Sequence, residues 1–117
     1  MEKENIKISY DKEEDLLSLF SLGSRVKFSF DISVPDGDIV VDYDFDGKIV
    51  GLEFFNASRY FPMLNKVKDS KELKAILNVK YGPNWAQINY SVYLKDVKNP
   101  PIMFLNAPYN KKMILKV

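Results

Sequence analysis

The residues of this chain whose types and spacing could do chemistry lie between positions 42 and 53, which read Asp-Tyr-Asp-Phe-Asp-Gly-Lys-Ile-Val-Gly-Leu-Glu. Asp42, Asp44, Asp46, Gly47 and Glu53 fill the calcium-loop pattern D-x-D/N-x-D/N-G-x₅-E, in which alternating carboxylates close around one ion and glycine makes the sharp bend. Ile49 also suits the apolar position of such a loop. The chemistry implied is binding of calcium or another divalent metal, or metal-dependent hydrolysis with Asp42, Asp44, Asp46 and Glu53 as ligands. Asp42 and Glu53 also have the make-up of a carboxylate pair that a hydrolase uses as acid and base.

The surrounding sequence opposes a metal loop. Such a loop is entered from a helix, and the residues before Asp42 include Pro35, Gly37 and the β-branched run Ile39-Val40-Val41, which do not favour one. Asp46-Gly47 between two strand-like runs, Ile39 to Phe45 and Lys48 to Phe55, is instead a short-range hairpin signal. On that reading Asp44 and Asp46 support the turn by bonding nearby N–H groups, and Gly47 supplies a positive φ. Asp42 and Glu53 then occupy polar positions on opposite arms. The expectation is a hairpin without a bound metal or cofactor.

Other chemistries are restricted by composition. The chain has no His and no Cys, which removes Ser–His–Asp catalysis, thiolate nucleophiles, disulfides and the usual structural zinc. No glycine-rich phosphate loop is present. Seventeen basic residues against sixteen acidic ones give a net charge of +1, with no global nucleic-acid signal. Fifteen lysines against two arginines also argue weakly against bidentate phosphate recognition. The lysines from Lys95 onward, with Tyr109, read as a solvated tail rather than a nucleic-acid contact. The start of the chain does not look like a signal peptide, and no apolar run approaches the ~18 residues needed to span a bilayer. A non-catalytic cytoplasmic protein is expected.

The elements that must position the acids are mostly strands. Val26, Phe28, Phe30, Ile32 and Val34 alternate with Lys27, Ser29, Asp31 and Ser33; Ala86 to Lys95 and Ile6 to Tyr10 alternate in the same way, the period of a half-buried strand. Leu16 to Leu22 is apolar on both faces and is read as a strand because Ser21, Gly23 and Ser24 follow. Lys48 to Phe55 is apolar on both faces as well, which makes it a central strand or one covered by a helix or a second subunit. Pro35 to Asp38 reads as a turn.

One or two short helices are expected in the middle of the chain, over Asp69 to Leu77 and over Ala57 to Lys66, the latter weakened by Pro62. In the first, Asp69 and Glu72 form a capping box ahead of Leu73, Ile76 and Leu77. Ile102 to Leu105 and Met113 to Val117 complete the strands. The predicted class is α+β, mainly an antiparallel sheet, in a single domain spanning 1–117.

Two strings carry a resemblance: residues 42–58, continuing the acidic segment through Phe-Phe-Asn-Ala-Ser, and residues 6–17, Ile-Lys-Ile-Ser-Tyr-Asp-Lys-Glu-Glu-Asp-Leu-Leu. Together they are similar to a family of short prokaryotic proteins, domain of unknown function 2283, over about residues 6 to 60. Residues 61 to 117 have no counterpart in it. The resemblance implies no activity and no functional residues, only that some members are antitoxin-like partners of small toxins. The expected function is a protein-interaction or homodimerisation module, in which the acidic stretch Asp36 to Asp46 and the lysines after Lys95 could pair between subunits.

Overall fold

The computed structural model describes residues 6–35, 37–110 and 112. Eight strands account for most of them: β1 (Ile6–Asp11), β2 (Leu16–Ser21), β3 (Val26–Val34), β4 (Gly37–Asp44), β5 (Ile49–Phe55), β6 (Leu73–Tyr81), β7 (Trp85–Leu94) and β8 (Met103–Pro108). They form two antiparallel sheets. The first has five strands in the order β1-β2-β5-β4-β3, and the second has three in the order β6-β7-β8.

The α+β expectation is corrected here: the fold is nearly all β. Among the described residues between Ile6 and Pro108 the helical content is three short 3₁₀ turns, Ala57–Arg59, Pro62–Lys66 and Ser70–Glu72. Pro62 opens the second turn, where its missing N–H costs nothing, and so divides the segment read as one helix. Asp69 does cap, its Oδ1 accepting from the Lys71 N–H at 2.8 Å, but what it caps is a single turn. From Leu73 onward the period changes to two. Leu73, Ala75, Leu77 and Val79 face inward while Lys74, Ile76, Asn78 and Lys80 turn to solvent. Leu73, Ile76 and Leu77 therefore belong to a nine-residue strand, not to one face of a helix.

The strands expected at Ile6, Leu16, Val26 and Ala86 are present. β5 is central, paired with β2 on one side and β4 on the other. The last described strand begins at Met103 rather than Ile102 and reaches Pro108. Met113 to Val117 lies outside the described residues, as does Asp36 in the turn between β3 and β4.

The sheets pack face to face. Leu17 and Leu19 of β2, Leu52 and Phe54 of β5, and Ile39, Val41 and Tyr43 of β4 meet Ala86, Ile88, Tyr90 and Val92 of β7 in one core. The Phe54 and Tyr90 rings lie 5.3 Å apart across the layers, and Phe61, just ahead of the second 3₁₀ turn, packs edge-on against Phe54. Hydrogen bonds also tie the layers: Tyr43 Oη donates to the Pro108 carbonyl at 2.6 Å, and the Ile49 N–H donates to Tyr81 Oη at 2.8 Å. Desolvation raises the Tyr43 hydroxyl well above its usual range, with a smaller push from Tyr81.

Candidate functional site

The segment from 42 to 53 is a hairpin. The Asp44 N–H donates to the Lys48 carbonyl at 2.8 Å and the Gly47 N–H to the Asp44 carbonyl at 3.1 Å. Asp44 Oδ1 accepts from the backbone N–H groups of Asp46 and Lys48, both at 2.9 Å. Gly47 sits at φ 79°, the left-handed region that glycine enters at no steric cost. Asp44 is thereby committed to the turn, and Asp46 is exposed at its tip.

Asp42 and Glu53 are brought together on the outer face of the five-stranded sheet, away from the core. Asp42 pairs with Gly51 and Val40 with Glu53, so the two acids are diagonal neighbours on adjacent strands. The absence of a side chain at Gly51 makes their meeting possible. A Cβ there would lie 2.9 Å from Asp42 Oδ2 and 3.0 Å from the Phe20 ring, so the carboxyl group occupies the space a side chain would fill. From the other side Ser29 Oγ donates to Asp42 Oδ1 at 2.6 Å. Asp42 is left only 4% exposed.

Electrostatics follow from this crowding. Burial raises the Glu53 carboxyl, and the hydrogen bond and negative charge of Asp42 raise it further, to about 7. A carboxyl group beside another carboxylate resists ionising, so Glu53 keeps its proton into the neutral range and can give or take it there. A chelating cage is a different arrangement: among the described residues no three His, Cys, Asp or Glu side chains are grouped to hold a metal ion. Of the four candidate ligands, Asp42, Asp44, Asp46 and Glu53, only Asp42 and Glu53 converge.

A second polar cluster, not anticipated as a site, joins the two strings that carry the family resemblance. Asp15 closes the β1–β2 turn at φ 54°. Its Oδ1 accepts from Tyr10 Oη at 2.7 Å and from the Ser58 N–H at 3.0 Å, and its Oδ2 accepts from Ser58 Oγ at 2.7 Å. The Ala57 N–H donates to the Asp15 carbonyl at 2.9 Å. Burial pushes Asp15 up, but these hydrogen bonds outweigh it and hold the carboxyl below its usual value. The Tyr10 hydroxyl is raised to about 12 by burial and by Asp15. Both carboxylate oxygens of Asp15 are engaged by donors of the fold itself, which makes the cluster a structural latch.

A hollow of about 460 Å³ lies between the hairpin tip and β6, bordered by Asp44, Lys48, Val50, Asn78 and Tyr81. Lys48 Nζ stands 4.9 Å over the Tyr81 ring and Asp44 is held by the turn, so these two charged groups at the rim already have partners. Among the described residues no helix is long and apolar enough to cross a membrane.

Comparison with known proteins bears out the resemblance. Residues 7–58 match the model of the family described as protein of unknown function (DUF2283). An uncharacterised protein of Methanocaldococcus jannaschii is 39% identical over 56 residues, which are 48% of this chain and 45% of that protein. The chain thus spans less than half the length of this relative. No solved structure matches. The family match covers the five-stranded sheet but for Ile6 and ends within the first 3₁₀ turn, and the three-stranded sheet lies outside it.

Proposed function

We propose that this chain, carrying a segment of that family of unknown function, is a non-catalytic protein-interaction module of the cytoplasm, antitoxin-like in docking a small protein or a second copy of itself. The observation that supports it is a mismatch in width. A five-stranded sheet packs on a three-stranded one, and the overhang falls at β3. On β4 the inward residues Ile39, Val41 and Tyr43 are buried. On β3, one strand further out, Phe28, Phe30, Ile32 and Val34 point to the same side and are only half-buried. Among the described residues no further strand pairs with β3, and an apolar row beside such an edge is the setting in which an extended segment of another chain adds to a sheet.

The opposite edge is built differently. There the Tyr10 N–H on β1 donates to Ser70 Oγ at 2.9 Å, so the chain closes part of that edge itself. A photocrosslinking amino acid at Ser33 on β3, expressed in living cells, tests the proposal. An adduct of discrete mass at Ser33 that is absent at Ser9 on β1 is expected. No adduct at Ser33 or at neighbouring β3 positions would remove the interaction reading.

A further inference from the structure

We infer that the occupant of the β3 edge is a second copy of this chain, paired antiparallel through β3 with Ser29 facing Ser29 across a two-fold axis; this rests on the interaction reading above. The sequence Val26-Lys27-Phe28-Ser29-Phe30-Asp31-Ile32 is chemically palindromic about Ser29. In that register Lys27 of each copy faces Asp31 of the other and Phe28 faces Phe30, while Val26, paired with Asp44 beyond a register shift, lies outside the match. Opposite charges and aromatic pairs directly across two strands stabilise a ladder, and like charges there oppose it. Moving the axis to Asp31 would set the two Asp31 carboxylates against each other, and moving it to Phe30 would leave both charge pairs unmade.

The faces agree as well. An antiparallel two-fold keeps paired residues on one side of the sheet, so the half-buried Phe28, Phe30, Ile32 and Val34 of both copies form one apolar strip. Phe28 is already stacked on Tyr43 with centroids 4.8 Å apart and rings 3° from parallel, and Phe30 meets both rings edge-on. The row is therefore ordered before it pairs. Lys27 lies at the register shift between Val26 and Phe28, with its Nζ 6.0 Å over the Phe45 ring, and Asp31 is exposed. Each copy contributes Lys27 to Asp31 as the paired core.

Charge reversal tests both the partner and the register. Sedimentation equilibrium across the micromolar range is expected to give a dimer for the wild-type chain. Lys27→Asp or Asp31→Lys alone should weaken it about tenfold or more, since two equivalent pairs become repulsive, and the double exchange should restore it. Circular dichroism checks that each variant is folded, and Asp31→Lys carries the single-exchange arm if Lys27→Asp does not fold. Because the chain has no cysteine, Ser29→Cys should also join to itself through a short bis-maleimide while Ser9→Cys does not. A wild-type monomer throughout the range overturns the proposal. A dimer indifferent to charge reversal overturns pairing through β3. A Ser33 adduct formed only with a different protein overturns the second copy while leaving the interaction reading in place.

Discussion

The carboxyl group of Asp42 lies across the backbone of Gly51 on the neighbouring strand, in the 2.9 Å gap where a Cβ would stand. Gly51→Ala must displace Asp42, the Phe20 ring or both, and the Leu19 carbonyl at 3.1 Å leaves little room on the third side. A loss of about 1–3 kcal/mol is expected, as for overpacking in a filled interior, measured by urea unfolding.

Glu53 gives stability a pH dependence opposite in sign to the usual surface carboxylate. Its folded pKa of about 7 lies above its ordinary value of 4.5. Between those values the folded state binds the extra proton, so stability falls as pH rises through the window and levels off above it. The loss is about 1 kcal/mol after discounting for solvent screening at a half-buried group. Glu53→Gln should flatten the slope between pH 5 and 8 and leave the variant the more stable form at pH 8.

Asp15→Asn keeps a residue that tolerates the left-handed region but removes the charge that Tyr10 and Ser58 address. A cost of about 1 kcal/mol is expected, and about 2–3 kcal/mol for Asp15→Ala, which strands the Tyr10 hydroxyl and the Ser58 N–H. The Asp15 carboxyl is depressed. Its contribution is therefore present above the unfolded pKa and is lost as pH falls through the lower folded value, which acid titration of wild type against Asp15→Asn will separate from the Glu53 effect.

Asp44→Ala should destabilise the hairpin by about 1–2 kcal/mol, because two backbone N–H groups lose their acceptor. Calorimetric titration of the wild-type chain with calcium, magnesium or manganese should give no saturable heat below millimolar. Saturable binding abolished by Asp44→Asn would reinstate the metal loop.

Alternation made β1, β3 and β7 readable from the residues alone, and Asp46-Gly47 made the β4–β5 hairpin readable. β6 was obscured because its sequence satisfies two periods. Leu73, Ile76 and Leu77 share a helical face behind a capping pair, while Leu73, Ala75, Leu77 and Val79 share a strand face that is less conspicuous because alanine contributes so little. Capping acts over one turn, and here one turn is all it governs. The meeting of Asp42 and Glu53 depends on cross-strand register, including the extra residue Val50 opposite the step from Asp42 to Tyr43. Spacing along one chain does not report that. Gly51 was the available clue, since glycine inside a strand marks a close approach.

Within the five-stranded sheet every pairing joins consecutive strands except one, β2 with β5, where Leu17 lies beside Phe54 and Leu19 beside Leu52. The other ladders can zip from their own turns, whereas this seam must wait for the β3–β4–β5 meander to arrive. The rate at which the chain refolds after dilution from denaturant is therefore expected to depend on this seam, because distant contacts bear the loop-closure entropy. Trimming Leu19 or Leu52 would slow refolding, while trimming Leu105 on β8 would mainly hasten unfolding.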